Sequence, residues 1–140
     1  YAMPSVVLVS IWRSLGYYIL LFLSGLQSIP SQVYEAGTVD GTNAWTRFRF
    51  ITLPLLSPTT FFVLIVSVIN SFQVFDLIFT MTGGGPARAT TTIAYYIYTS
   101  SFEDFRLGYG STLAWALFLV IAGITLIQFV LQSRWVNYDR

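Results

Sequence analysis

Residues 111–131 read Ser111-Thr-Leu-Ala-Trp-Ala-Leu-Phe-Leu-Val-Ile-Ala-Gly-Ile-Thr-Leu-Ile-Gln-Phe-Val-Leu131, a run without one charged side chain. As a helix rising 1.5 Å per residue, a segment of about 20 apolar residues crosses the hydrocarbon core of a bilayer. No water is available there to satisfy a free N–H or C=O, so the segment must be helical. Upstream, two further stretches are long and apolar enough to span: residues 4–26, interrupted by Arg13, Ser14 and Gly16, and residues 55–81.

The whole composition agrees with that reading. Of 140 residues, 55% are hydrophobic and 9% charged, with a mean hydropathy of +0.68; a soluble domain carries about 25% charged residues. The expected fold is therefore all-α, a polytopic membrane helix bundle of about three transmembrane helices with shorter helices in the connections. All seven basic residues are Arg, and Lys, His and Cys are absent. Schiff-base lysines, histidine bases, thiol nucleophiles, disulfides and Cys/His zinc sites are excluded, as is a P-loop, which needs a Lys. A net charge of +1 offers no basic surface for nucleic acid. The expectation is a membrane-embedded chain without a catalytic site of its own.

Three crossings place the connection 27–54 and the tail 132–140 on one side. That side carries Arg47, Arg49, Arg134 and Arg140, against Arg88 and Arg106 in the connection 82–110. The excess predicts that the first connection and the tail are cytoplasmic. Trp135, Tyr138 and Tyr109 stand where interfacial aromatic belts are expected. In the second connection, Thr82-Gly83-Gly84-Gly85-Pro86 breaks the helix, and residues 90–102 read as a short interfacial helix on the outer side. The chain starts at Tyr1, with no charged segment before its first apolar run, and reads as a C-terminal piece of a longer protein.

The first connection carries most information. Ile29-Pro30-Ser31 opens a first short helix, with Ser31 as a candidate cap and Glu35 in its opening turns. Asp40-Gly41 signals a turn, and residues 42–50 form a second helix with Trp45, Phe48 and Ile51 on one face. Pro54 then opens the next span. A compact amphipathic helix–turn–helix of this kind suits docking in a partner's groove.

Here the sequence resembles a known family. Glu35-Ala36, Gly41 six residues after Glu35, and Ile51-x-Leu53-Pro54 are similar to the EAA loop of binding-protein-dependent ABC importers. Trp12, Gly25-Leu26-Gln27-x-Ile29-Pro30, Asp40-Gly41, Phe75-Asp76 and Thr82-Gly83-Gly84-Gly85-Pro86 resemble its carbohydrate-uptake branch, specifically the first permease subunit of maltose, lactose and glycerol-3-phosphate importers. Gly37 departs from the pattern, which more often has Ala there. The resemblance implies that residues 29–54 are the element that docks on a cytoplasmic ATPase, with Glu35, Ala36, Gly37, Asp40 and Gly41 as coupling residues. Glu35 could pair with a basic group of the ATPase or cap the second helix. ATP and Mg would be bound by that partner and no cofactor by this chain. A second permease subunit, an ATPase dimer, an extracytoplasmic solute-binding protein and a sugar-like substrate are implied, in a bacterial or archaeal cytoplasmic membrane.

Polar residues within the spans are the candidates for a solute pathway, because a bilayer tolerates them only toward an interior. Ser10, Arg13, Ser14 and Tyr17 recur at helical spacing in the first span, and Ser67, Asn70 and Ser71 in the second. The resemblance to the maltose permease adds Val74 and implies that these eight positions face the substrate. Helix–helix hydrogen bonding is the competing reading for the Ser and Asn residues. Arg13 can contact a solute or pair within the bundle, and Asp76 is expected to hydrogen-bond the Gly-rich loop rather than relay protons. An ion-gradient-driven transporter is the main alternative, and it would need charged relays at mid-membrane. A membrane enzyme is a third reading, without a paired carboxylate motif to support it.

Overall fold

The computed structural model describes residues 1–39, 41–133 and 136. Asp40, Arg134, Trp135, Tyr138 and Arg140 lie outside the described residues, so the expectations placed on them are not addressed. Every regular element among the described residues is helical. Helix α1 is Ala2–Gln27; its Ser28 hydroxyl donates to the Gly25 carbonyl at 2.7 Å, and Pro30 prevents continuation. The first connection holds α2 (Ser31–Val39), α3 (Ala44–Arg47), a π-helical turn (Phe48–Thr52) and α4 (Leu53–Leu55). Then follow α5 (Ser57–Phe72), α6 (Asp76–Met81), α7 (Ile93–Tyr98), a second π-helical turn (Thr99–Glu103) and α8 (Leu107–Gln132).

Helices α1 and α8 are each long and apolar enough to cross a membrane. The stretch 55–81, expected as one continuous helix, is instead broken twice. At the first break, Pro58 lacks the N–H that would bond the Pro54 carbonyl; the Ser57 hydroxyl donates to that carbonyl at 2.6 Å in its place. The chain bends there by 62°, and the segments Ala44–Leu55 and Ser57–Phe72 together meet the requirements of one span. At the second break, Gln73 and Phe75 leave helical geometry, and Thr92 from the outer connection donates its hydroxyl to the Val74 carbonyl at 2.6 Å. Both breaks therefore satisfy an orphaned carbonyl with a side chain, which is how a bilayer tolerates irregular backbone.

The small core follows from this arrangement. Helix α5 packs against both α1 and α8, α6 leans on α1, and α7 lies along α8. Gly25 of α1 lets the backbones approach: a Cβ there would sit 2.5 Å from Thr59 Oγ1 of α5. On the α8 side, the rings of Phe61 and Phe129 meet edge to face at 5.4 Å. Buried apolar residues are few, among them Val6, Leu56, Phe61 and Ile78, whereas Leu20, Phe118 and Val130 are among many large apolar side chains left exposed along α1 and α8. In water such surface would be ruinous; against acyl chains or neighbouring helices it is ordinary.

The outer connection is knit by hydroxyls. Thr90, fully buried, donates to the Gly85 carbonyl at 2.8 Å and shares a 2.7 Å hydrogen bond with Thr82. The helical part of residues 90–102 starts later than expected, at Ile93, because Thr92 is its cap and accepts the Tyr95 N–H at 3.3 Å.

Candidate functional site

Two features of the fold carry chemistry: the hairpin of the first connection and a groove between α1 and α5.

The hairpin is closed by its turn. Helix α2 begins at Ser31 itself, which is a helix residue rather than its cap. Gly41 lies at φ +72°, a conformation glycine adopts freely. The Gly41 N–H reaches the Thr38 carbonyl at 3.1 Å and the Thr42 N–H reaches the Gly37 carbonyl at 3.1 Å, the paired bonds of a Schellman motif. The second arm is capped by Asn43, whose side chain accepts the Thr46 N–H at 2.8 Å; Asn43, not Glu35, caps this helix. The arms are then joined by a hydrogen bond of 3.1 Å between the Tyr34 and Thr52 hydroxyls and by Arg47 donating to Thr38 Oγ1 at 3.3 Å. Gly37 is buried against Ile51, while Glu35, Ala36 and Gly41 are exposed. Of the expected face, Trp45 and Phe48 bring their rings within 5.9 Å and remain exposed, whereas Ile51 turns inward toward Gly37.

The groove has a volume of about 690 Å³. Six of the eight pathway candidates line it: Ser10 and Ser14 from α1, Ser67, Asn70 and Ser71 from α5, and Val74 from the break after α5. Ser71 donates to the Ser67 carbonyl at 2.8 Å, as hydroxyls within apolar helices commonly do. The side chains of Ser10, Ser14, Ser67 and Asn70 make no hydrogen bond within the described residues. A solute with hydroxyl groups would find donors and acceptors on both walls of an otherwise apolar cleft.

Arg13 and Tyr17 are not part of the groove wall. Both stand on the stripe adjacent to the one formed by Ser10, Ser14 and Tyr18 at intervals of four. Tyr18, which the sequence reading did not single out, does line the groove, as do Ile78 and Thr92; its four-residue spacing from Ser14 is the signal in the sequence that distinguishes it from Tyr17. Arg13 instead forms an ion pair with Asp76 of α6. This corrects the expectation for Asp76, whose carboxylate binds α1 and not the Gly-rich loop. That loop is held by its own threonines, so it needs no carboxylate.

The chain is thus an all-helical membrane bundle with a mainly apolar groove that carries a few hydroxyl and amide groups, and with an exposed helical hairpin. The family described as "Binding-protein-dependent transport system inner membrane component" matches residues 1–136, and the chain belongs to that family. It is 39% identical over 139 residues to the sn-glycerol-3-phosphate transport system permease protein UgpA of Rhizobium meliloti (strain 1021), and 41% identical over 139 residues to the protein of that name from Pectobacterium atrosepticum. These alignments take in 99% of this chain and 47% of each relative, so the chain spans about half the length of those relatives. A protein of Caldicellulosiruptor sp. (strain Rt8B.4) named as an ABC transporter permease, ORF1, is 41% identical over 133 residues, 95% of both chains.

Proposed function

We propose that this chain forms part of a permease subunit of an ATP-driven importer for a sugar or sugar-like solute. Its spans would be α1, the broken stretch at residues 55–81 that holds α5 and α6, and α8, with the hairpin at residues 29–54 facing the cytoplasm. Arg47 and Arg49 on the hairpin support that orientation. A second permease subunit, an ATPase dimer that binds ATP and Mg, and an extracytoplasmic solute-binding protein complete the transporter. Membership of a binding-protein-dependent family favours ATP drive over an ion gradient.

The observation that carries the reading is a hairpin whose arms are tied to each other and whose second arm continues through α4 into the groove wall. Its arms are tied by Tyr34–Thr52 and by the packing of Gly37 on Ile51, and its second arm runs through α4 and the bend into α5. A displacement imposed on the exposed Glu35–Ala36 surface is therefore transmitted to the helix that bears Ser67, Asn70 and Ser71. Closure of the ATPase dimer would move the hairpin, and α5 would tilt against α1 to open the groove to the other side.

The test is ATP hydrolysis by the full-length complex in proteoliposomes, with and without its binding protein and candidate sugars. Loaded binding protein is expected to stimulate hydrolysis. Gly41→Pro, which cannot adopt φ +72°, is expected to abolish the stimulation while the complex still assembles, and Glu35→Ala to weaken it. Absence of stimulation by every sugar, with both variants matching wild type, would overturn the proposal.

A further inference from the structure

Residues 102–107 lead into α8, and all six are exposed. Two backbone hydrogen bonds hold them against the second π-helical turn: the Asp104 N–H reaches the Thr99 carbonyl and the Arg106 N–H reaches the Ser100 carbonyl, both at 2.9 Å. Phe105, between them, takes φ +55°, a left-handed conformation that is costly for a bulky residue. Its ring is nonetheless 85% exposed, beside Phe102 at 63% and Leu107 at 61%. Glu103, Asp104 and Arg106 form no ion pair among the described residues. The depth of the segment follows from α8. That helix has 26 residues, about 39 Å at 1.5 Å per residue, close to the thickness of a bilayer with its headgroups. The run read as spanning begins at Ser111, so Arg106 lies about 7.5 Å beyond the hydrocarbon edge, which is headgroup depth.

We propose that residues 102–107 bind a zwitterionic phospholipid headgroup with a primary ammonium, that of phosphatidylethanolamine, where α8 enters the bilayer. The inference rests on α8 being a span. Arg106 offers a guanidinium to the phosphate, to which it can donate two parallel hydrogen bonds. Glu103 and Asp104 offer carboxylates to the ammonium, whose N–H groups they accept. Phe102, Phe105 and Leu107 give apolar surface to the first methylenes of the acyl chains. The same charges sort the competing headgroups. Two carboxylates beside one guanidinium repel an anionic phosphatidylglycerol, which has no cation to offer them. Phosphatidylcholine carries the right charges, but its quaternary ammonium has no N–H to donate. Solvation by water would account for the three charged side chains and not for Phe105, whose strained backbone and unpacked ring gain nothing in water.

The test takes the assembled full-length transporter from vesicles of equal phosphatidylethanolamine, phosphatidylcholine and phosphatidylglycerol with matched acyl chains. Loosely held lipid is stripped with detergent, and the lipid retained is counted by native mass spectrometry. Wild type is expected to retain phosphatidylethanolamine over the other two by about three- to tenfold, between the worth of an exposed ion pair and that of a hydrogen bond to a charged group. The double variant Glu103→Gln with Asp104→Asn is expected to hold phosphatidylethanolamine and phosphatidylcholine alike, and Arg106→Gln to hold less of all three. Phe105→Gly, free to adopt φ +55°, is expected to melt no lower than wild type yet retain less lipid. No headgroup preference in wild type, or the same preference in the double variant, overturns the proposal. So does a Phe105→Gly variant that melts lower and keeps its lipid, which would make the ring a structural element. Equal retention by every form, with hydrogen exchange at residues 102–107 slowed only by adding the solute-binding protein, overturns it in favour of a protein surface. Retention of no lipid by any form overturns the proposal together with the span beneath it, whereas loss of stimulated ATP hydrolysis, read separately, leaves this result standing.

Discussion

Gly37 and Ile51 face each other across the hairpin so closely that a Cβ on Gly37 would come within 2.8 Å of Ile51 Cδ1. The family that this loop resembles more often has Ala here, and Ala favours a helix over Gly by about 1 kcal/mol. The obstructing atom is the tip of a flexible side chain, so a small rotation of Ile51 accommodates one methyl. Gly37→Ala is therefore expected to change stability by less than about 1 kcal/mol. Gly37→Leu has no such escape and should cost about 1–3 kcal/mol by overpacking, separating the arms. Thermal unfolding in detergent, followed through the fluorescence of the Trp45 region, would distinguish the two; a Leu variant melting like wild type would show that the arms do not pack through Gly37.

The bend before α5 has an equally local cause. Pro58 cannot donate to the Pro54 carbonyl, and Ser57 supplies the bond at 2.6 Å. Ser57→Ala should leave that carbonyl unsatisfied and destabilise the protein by about 1–3 kcal/mol. Pro58→Ala restores the N–H and should relax the 62° bend. Spin labels at Thr46 and Phe62 would report it as a longer and narrower distance distribution in the Pro58 variant; an unchanged distance would place the origin of the bend elsewhere.

How much of this was legible in the sequence depends on the range of the interaction involved. Hydropathy finds α1 and α8 within a few residues of their ends, because length and apolarity are the very properties a bilayer selects. It does not see the breaks inside 55–81, since an average over apolar residues carries no record of a missing N–H at Pro58 or of a carbonyl at Val74 satisfied by Thr92, eighteen residues on. The turn at Gly41 was readable, being local. The cap at Asn43 is also readable in principle, from an Asn directly before Ala44, although Glu35 offers a competing cap in the sequence. The pairing of Arg13 with Asp76 spans 63 residues and leaves no local trace. Helical spacing groups Ser10, Arg13, Ser14 and Tyr17 together, but the groove wall follows the narrower stripe of Ser10, Ser14 and Tyr18.

That difference of stripe is itself testable. Asn70 offers an amide to the groove with no partner among the described residues, and Tyr17 does not line it, its ring lying 5.6 Å from that of Tyr18, which does. Asn70→Leu fills similar volume without hydrogen bonds and is expected to raise the KM for solute uptake about two- to tenfold, the worth of one neutral hydrogen bond. Tyr17→Phe should leave KM within about twofold, well short of one such bond. Uptake by proteoliposomes containing the complete transporter measures both. A larger effect from Tyr17 than from Asn70 would move the pathway to the other face of α1.

Thr92 joins two elements through one hydroxyl. It donates to the Val74 carbonyl at 2.6 Å, closing the break between α5 and α6, and accepts the Tyr95 N–H at 3.3 Å, starting α7. Thr92→Val keeps the shape and removes both bonds. The lost cap costs about 1 kcal/mol and the orphaned carbonyl about 1–3 kcal/mol more, so the variant should melt well below wild type. Thr92→Ser retains the hydroxyl and should recover most of the difference, which separates hydrogen bonding from packing. The consequence should also be directional. With the Val74 carbonyl free, the break loses its tie to the outer connection, and residues 82–92 should become more susceptible to limited proteolysis while the hairpin at 29–54 keeps its wild-type protection. Equal loss of protection at both ends would mean that Thr92 supports the whole bundle and not the outer connection alone.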